Sequence, residues 1–573
     1  MSSEAITPLN VVLLWHMHQP EYRDLTSGEY QLPWTYLHAI KDYSDMAAHL
    51  EKQAGARAVV NFAPVLLEQI DDYARATRAW LEHGTPIPDP LLNCVVSDER
   101  FFTDNAERLK VIQACLRVNE DRLVKRYPPF ENLTRIARQL SDPDSVRYLY
   151  REFFVDLVVW YHLAWLGETI KRENPVVCRL IDKARGFDMA DRRALMEVIA
   201  DVIAGIIPRY RALLEEGKVE LSMSPYAHPM LPLLIDFATL HEAMPDAALP
   251  ACPRYPEGEQ RAQWHVERGL QVFEHYFGQR PVGCWPSEGG VSDAVVEMLD
   301  GYGFRWLASG DTVLKNSIHR YGEQAEGVEP ECRHHAWTLG GNAIRLFFRD
   351  DGLSDLIGFN YSSWHAEDAV GDLLQHLHNI RNHCSDPADS VVSIILDGEN
   401  AWEYYPENGY YFLETLYQRL AEAPEFQLTT YSEFLARPHL KTHRLPRLVA
   451  GSWVYGTFST WMGDPDKNRA WDLLCDAKQA FDRHLAEHPA AADDDELLRQ
   501  LAVCEGSDWF WWFGDYNPAG SVQEFDRLYR LNLANLYRRL GHEPPAELAE
   551  ALSMGNAESA VETGGVMRRG QEE

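Results

Sequence analysis

The stretch "NVVLLWHMHQP", Asn10 to Pro20, is a short apolar run that breaks into polar residues. Such a run reads as a parallel strand buried on both faces and followed by a loop. The form recurs in "ARAVVNFAP" (56–64), "KVELSMSP" (218–225), "RPVGCWPSE" (280–288), "FRWLAS" (304–309), "AIRLFFRDD" (343–351) and "SVVSIILDGEN" (390–400). Helical spacing fills most of the gaps, as in "SDAVVEMLDGYG" (292–303) and "GDLLQHLHNIRNHC" (371–384). Strands alternating with helices predict an α/β fold with a parallel sheet. Seven such runs fit a closed or nearly closed β/α barrel.

Between about Pro86 and Arg211 the sequence is helical and charged, as in "SVRYLYREFFVDLVVWYHLAWLGETIKREN" (145–174), an insertion between the second and third strands. The alternation ends near "LARPHLKTHRLPRLVAGSW" (435–453), and helical patterns follow it. The expected organisation is a barrel domain over 1–440, a helical region over 441–545 that completes the substrate cleft, and a disordered tail over 546–573. The tail is expected because its last residues are small and polar.

The 573 residues carry a formal charge of −33, which argues against nucleic acid and against an anionic membrane surface as partners. A neutral sugar is untouched by that argument. The nine cysteines form no CxxC pair, so neither a disulfide framework nor a thiolate zinc site is expected. "MSSEAITPLN" has no basic and apolar leader pattern, and no run approaches the ~18 apolar residues of a membrane helix. The expected location is cytoplasmic.

The strand ends carry the chemistry-bearing groups: His16, His18 and Gln19 on the first, Glu220 and then His228 on the third, Trp285 and Glu288 on the fourth. Arg349, Asp350 and Asp355 follow the sixth run, and Asp397, Glu399 and Glu403 follow the seventh. In a β/α barrel the C-terminal ends of the strands meet at one face, so these residues converge. Two facing carboxylates, Glu288 and Asp397, are what glycoside cleavage requires: one protonates the leaving oxygen, the other attacks or assists at the anomeric carbon. Either acid alone reads more readily as a solvated loop acid, and "DGEN" alone equally as a turn.

The histidines have three readings. His-X-His at a strand end is a metal pair in one, which with His228 and Asp397 would build a deacetylase or zinc mannosidase. In the second they are hydrogen-bonded core residues. In the third they hold sugar hydroxyls, since neutral imidazole and the Gln19 amide both donate and accept. The count of 17 tryptophans adds aromatic faces for pyranose rings. "EGSDWFWWFGDYNP" (505–518) places Trp511 beside Asp508, and Trp402 follows Asp397 by five residues. The bland reading of such tryptophans is core.

Taken in order, "HMHQP" (16–20), "GKVELSMSPYAHPMLPLL" (217–234), "GCWPSEGGVSD" (283–293), "SIILDGENAWEYYPENG" (393–409) and "EGSDWFWWFG" (505–514) resemble the five motif regions of glycoside hydrolase family 57. The resemblance runs to about residue 545 and implies an incomplete (β/α)7 barrel. It also implies a retaining enzyme of α-glucans with Glu288 as nucleophile and Asp397 as general acid/base. His16, His18, Gln19, Glu220, His228, Trp285, Trp402, Asp508 and Trp511 are the substrate-binding residues it implies, with no metal and no cofactor. "STWMGDP" (459–465) and "SDWFWW" (507–512) resemble the α-amylase and amylopullulanase-like branch. Gly310-Asp311 and Tyr516-Asn517 depart from it, where Asp-Glu and Asp-His pairs are expected.

The implied activity is hydrolysis of α-glucosidic bonds in starch, glycogen or maltodextrins by double displacement. The alternatives are a 4-α-glucanotransferase or branching enzyme with the same acids, a metal-dependent deacetylase or mannosidase, and a silent glucan-binding protein.

Overall fold

The computed structural model describes residues 7–140, 142–325 and 332–556. Its strands are β1 (Leu9–Met17), β2 (Ala58–Phe62), β3 (Val219–Met223), β4 (Gly283–Cys284), β5 (Trp306–Gly310), β6 (Ala336–Leu339), β7 (Arg345–Arg349), β8 (Val391–Asp397), β9 (Phe426–Leu428) and β10 (Thr442–Leu445). β1, β2, β3, β4, β5, β7 and β8 pair in that order, all parallel, and β8 returns to β1. These seven strands are the seven apolar runs of the sequence, and they form the expected (β/α)7 barrel. The ring is thin in places: β7 meets β8 at the single pair Arg349–Ser393, and β3 meets β4 only at Met223–Cys284.

Three short strands were not expected. β9 pairs with Leu9–Val11 at the start of β1, β6 runs antiparallel to β7, and β10 pairs with β6, carrying the sheet a few residues past 440. Their runs of three or four residues are too short for alternation to stand out in the sequence.

The two-residue period of β1 sorts its side chains. Val12 and Leu14 join the barrel interior with Val59, Trp306, Phe347 and Ile395. Val11, Leu13, Trp15 and Met17 face outward into the larger core beneath the helices. Continuing the inward row upward puts His16 at the mouth. The same count on β8 runs from Val391 through Ser393 and Ile395 to Asp397.

The helical insertion lies between β2 and β3, ending in the long helix Met189–Glu215, which opens on a capping box of Asp188 and Asp191. After β10 come the helices Pro465–Glu487, Asp495–Cys504, Asp508–Trp512 and Ala519–Arg539. Part of the expected disordered tail is ordered. Leu548 and Leu552 are buried, the Leu552 amide donates to Asp526, and Ser553 Oγ accepts from the Gly514 amide. Burial of two leucines offsets the entropy that small polar composition suggested. Residues 557–573 of that tail lie outside the described residues.

Candidate active site

Register sets the floor of the site. His16 lies level with Asn61 and with Asp397, and Asn61 lies level with Ser222. His16 Nδ1 donates to Asn61 Oδ1 at 2.7 Å, Ser224 Oγ donates to the same oxygen at 2.9 Å, and the Asn61 amide donates to Ser222 Oγ at 3.0 Å. This buried polar layer fixes the imidazole with Nε2 left without a protein partner. Above it opens a cleft of about 890 Å³ lined by His16, His18, His228, Glu288, Asp397, Glu399, Trp453 and Trp511, among others.

Glu288 follows β4 on a one-turn 3-10 helix, Ser287–Gly289, with φ 58° and ψ 24°. A left-handed non-glycine residue costs about 1–3 kcal/mol and persists only where its surroundings hold it. The holding contacts come from a distant loop. The Trp453 amide donates to the Glu288 carbonyl at 3.1 Å, and Val291 and Gly451 exchange backbone hydrogen bonds. Trp453 Nε1 donates to Glu288 Oε2 at 3.1 Å, and Ser507 Oγ donates to Oε1 at 3.3 Å. His228, also left-handed at φ 57°, donates from Nδ1 to Ser507 Oγ at 3.0 Å.

Both acids are held above the ordinary carboxylate range. Burial, then Asp508 and Asp397, push Glu288 up to about 8, against the opposing Trp453 and Ser507 donors. Burial pushes Asp397 up to about 6, opposed by its hydrogen bond from Asn400 at 2.6 Å and by the charges of His18 and Arg349. At neutral pH the pair therefore carries one proton. Glu399 is raised well above its ordinary value, by burial first and then by Asp397.

The three imidazoles stack, with ring centroids 3.9 Å apart for His18 and His228 and 5.1 Å for His16 and His228. Burial and then the neighbouring imidazole hold His16 at about 3, and the same causes push His228 well below its ordinary value. Both are neutral and suited to hydroxyl groups. His18 Nε2 donates to Asp508 Oδ1 at 2.7 Å. Among the described residues, His18, His228 and Asp508 offer ligand atoms within 4.8 Å of one another. The two rings lie nearly parallel at 23°, so their in-plane lone pairs run side by side rather than converge, a poor fit to a metal ion.

Of the residues expected at the site, His16, His18, His228, Glu288, Asp397 and Trp511 line the cleft. Asp508 and Gln19 stand behind it, bonded to His18 and to Glu399. Three do not reach it. Glu220 is level with Val59, which is level with Leu14, so it sits in the barrel one inward position below His16. There it accepts from Trp306 Nε1 and the Ser432 hydroxyl, each at 2.7 Å. Trp285 is buried in the barrel interior, its ring edge-on to Trp453 at 5.6 Å. Trp402 is core: its Nε1 donates to the Gly398 carbonyl and its ring packs on Trp15 and Tyr405. Despite its closeness to Asp397 in sequence, these contacts hold its side chain in the core and not in the cleft.

Trp453 and Ser507 were missed as partners of Glu288. The available signal was a tryptophan between small residues, "GSWVYG" (451–456), just where the strand pattern ends. Arg349 also lines the cleft, donating to the Ile395 carbonyl, Asp351 and Asp355, with its guanidinium 5.2 Å from the Trp453 ring. Both sequence departures have local reasons. A Cβ at Gly310 would lie 2.7 Å from Trp453 Cα. The Asn517 amide donates to the carbonyls of Trp511 and Trp512, closing the turn behind the cleft-lining Trp511.

A family model described as Glycosyl hydrolase family 57 matches residues 12–448. In fold the chain is similar to a branching enzyme from Thermococcus kodakaraensis, at 16% identity over 98% of this chain and 99% of that one, with a TM-score of 0.55. It is similar also to a branching enzyme from Pyrococcus horikoshii, at 15% identity over 98% of each chain and a TM-score of 0.54. An α-amylase from Thermotoga maritima aligns at 14% identity over 93% of this chain and 94% of that one, with a TM-score of 0.52. No curated protein matches the sequence.

Proposed function

The chain belongs to glycosyl hydrolase family 57, and from that premise we propose that it is a retaining glycosidase cleaving α-glucosidic bonds in α-glucans. The observation that carries this reading is that two acids, the buried Glu288 and the half-buried Asp397, line one cleft. Glu288 is the more strongly raised of the two, so ionised Glu288 with the proton on Asp397 is the minor placement of the pair's one proton. It is the reactive arrangement, and the donors on both Glu288 oxygens favour it.

Glu288 then attacks the anomeric carbon while Asp397 protonates the glycosidic oxygen, and the C1–O bond breaks. The product of this step is a glycosyl ester on Glu288 and a free chain bearing a new hydroxyl. In the second step Asp397, now ionised, takes a proton from water, whose oxygen attacks C1 and releases Glu288. His16, His18 and His228 hold hydroxyls of the reacting sugar through nitrogens that lack protein partners, and Trp511 walls the cleft.

A sugar hydroxyl can replace water in the second step, which is the 4-α-glucanotransferase or branching reaction. Product profiles on amylose, pullulan and maltopentaose test the reading. Shorter products with retained anomeric configuration are expected, and products longer than the substrate assign transfer instead. Glu288→Gln should abolish turnover while keeping glucan binding. Turnover lost to EDTA and restored by zinc would overturn the two-carboxylate mechanism.

A further inference from the structure

The segment between the short helix Asp351–Asp355, which follows β7, and the helix Ala366–His383 carries two half-exposed aromatic rings. Leu356–Asn360 is a single π-helical turn, a form frequent at functional sites, and a 3-10 turn over Tyr361–Ser363 follows. Ile357 and Tyr361 anchor the segment and are buried. Phe359 and Trp364 are 48% and 46% exposed. Phe359 lines the cleft, and Trp364 is held edge-on against Tyr361 at 5.4 Å. The helical insertion braces the turn, Arg122 donating to the Ser362 carbonyl at 3.3 Å.

The position of this turn gives it a side. A Cβ at Gly358 would lie 3.3 Å from Leu396, the residue before Asp397, so Phe359 stands on the Asp397 side of the cleft. An acid that protonates the glycosidic oxygen faces the leaving chain, and the acceptor enters where that chain left. The half-exposed Phe359 ring is part of the cleft wall, and Trp364, five residues on, presents a second half-exposed ring. Such faces suit the CH-rich faces of pyranose rings, and a charge of −33 disfavours a polyanion there. Resting on the α-glucan reading, we propose that Phe359 and Trp364 form a track for the leaving and acceptor chain, two platforms leading away from Asp397.

Chain-length dependence tests the track. For Trp364→Ala, kcat/KM on amylose relative to maltotetraose should fall about tenfold, the value of one lost aromatic platform. Trp364→Tyr should restore most of that ratio, and Phe359→Ala should add to the loss. Glu288→Gln protein carrying Trp364→Ala should bind amylose more weakly by calorimetry. An unchanged ratio in both alanine variants, with wild-type protein active on amylose, overturns the track alone. Wild-type protein that neither binds nor cleaves any α-glucan overturns the track together with the reading it rests on.

Discussion

The indole of Trp453 donates to Glu288 Oε2 at 3.1 Å while its backbone amide donates to the Glu288 carbonyl at the same distance. One residue, 165 positions away in sequence, thus holds both the side chain and the left-handed backbone of the proposed nucleophile. Trp453→Phe keeps the ring and removes the donor. The donor favours the ionised acid, so its loss should move Glu288 further up and carry the alkaline limb of kcat/KM with it. A hydrogen bond to a charged group is worth about 1.5–3 kcal/mol, so kcat/KM should fall roughly 10- to 150-fold. A pH–rate profile of the variant checks both.

The wild-type profile should itself be bell-shaped. Below about 6 both acids are protonated and no nucleophile remains, and above about 8 both are ionised and no acid remains. Asp508→Asn removes the charge that contributes most to raising Glu288 after burial. The alkaline limb of kcat/KM should then shift to lower pH.

Gly310→Ala probes the seat of Trp453 from below. Its methyl group would meet the Trp453 backbone at 2.7 Å, and overpacking of this kind costs about 1–3 kcal/mol. Thermal unfolding should show a lower Tm. The activity loss should resemble that of Trp453→Phe, because the same contact to Glu288 is displaced.

Trp402 and Trp511 separate core from cleft. Trp402 is buried on all sides, so Trp402→Ala should destabilise by about 3–5 kcal/mol, and Trp402→Phe should leave KM for maltooligosaccharides near wild type. Trp511 lines the cleft, and Trp511→Ala should raise KM severalfold. Equal effects on KM from Trp402→Phe and Trp511→Ala would return Trp402 to the subsite wall.

Glu505 underlies the segment that carries Ser507 and Asp508. Fully buried, it accepts from Arg261, His265 and Tyr255 at 2.7–2.8 Å. Burial opposes its ionisation, but Arg261 and His265 more than offset this and hold it far below its ordinary 4.5. A depressed carboxylate contributes stability that is fully present above its unfolded value and is lost as pH falls below about 4.5 towards the folded value. Glu505→Gln leaves Arg261 buried without its counter-charge and should cost about 3–5 kcal/mol. Melting curves at pH 7 and pH 4 check this: the variant should lose less Tm on acidification than the wild type.

The seven barrel strands and the two acids were legible in the sequence because their signals are local. An apolar run that breaks into polar residues marks a buried strand and its C-terminal end, and barrel closure brings such ends together. Counting in twos along β1 and β8 even places His16 and Asp397 on the inward rows. The same counting, applied with register, lowers Glu220 by one inward position, and register is set by pairing with β2 rather than by β3 itself.

Tertiary structure alone decided the rest. Whether Trp285, Trp402 or Trp511 faces sugar depends on which elements pack over each ring, and composition is the same for all three. Trp453 and Ser507 reach Glu288 only because the loop after β10 and the turn before Asp508–Trp512 fold back across the mouth. Hydrogen bonds between segments so far apart have no periodicity to betray them. The sequence determined which acids stand at the mouth, and the packing of distant loops determined which groups hold Glu288 in place.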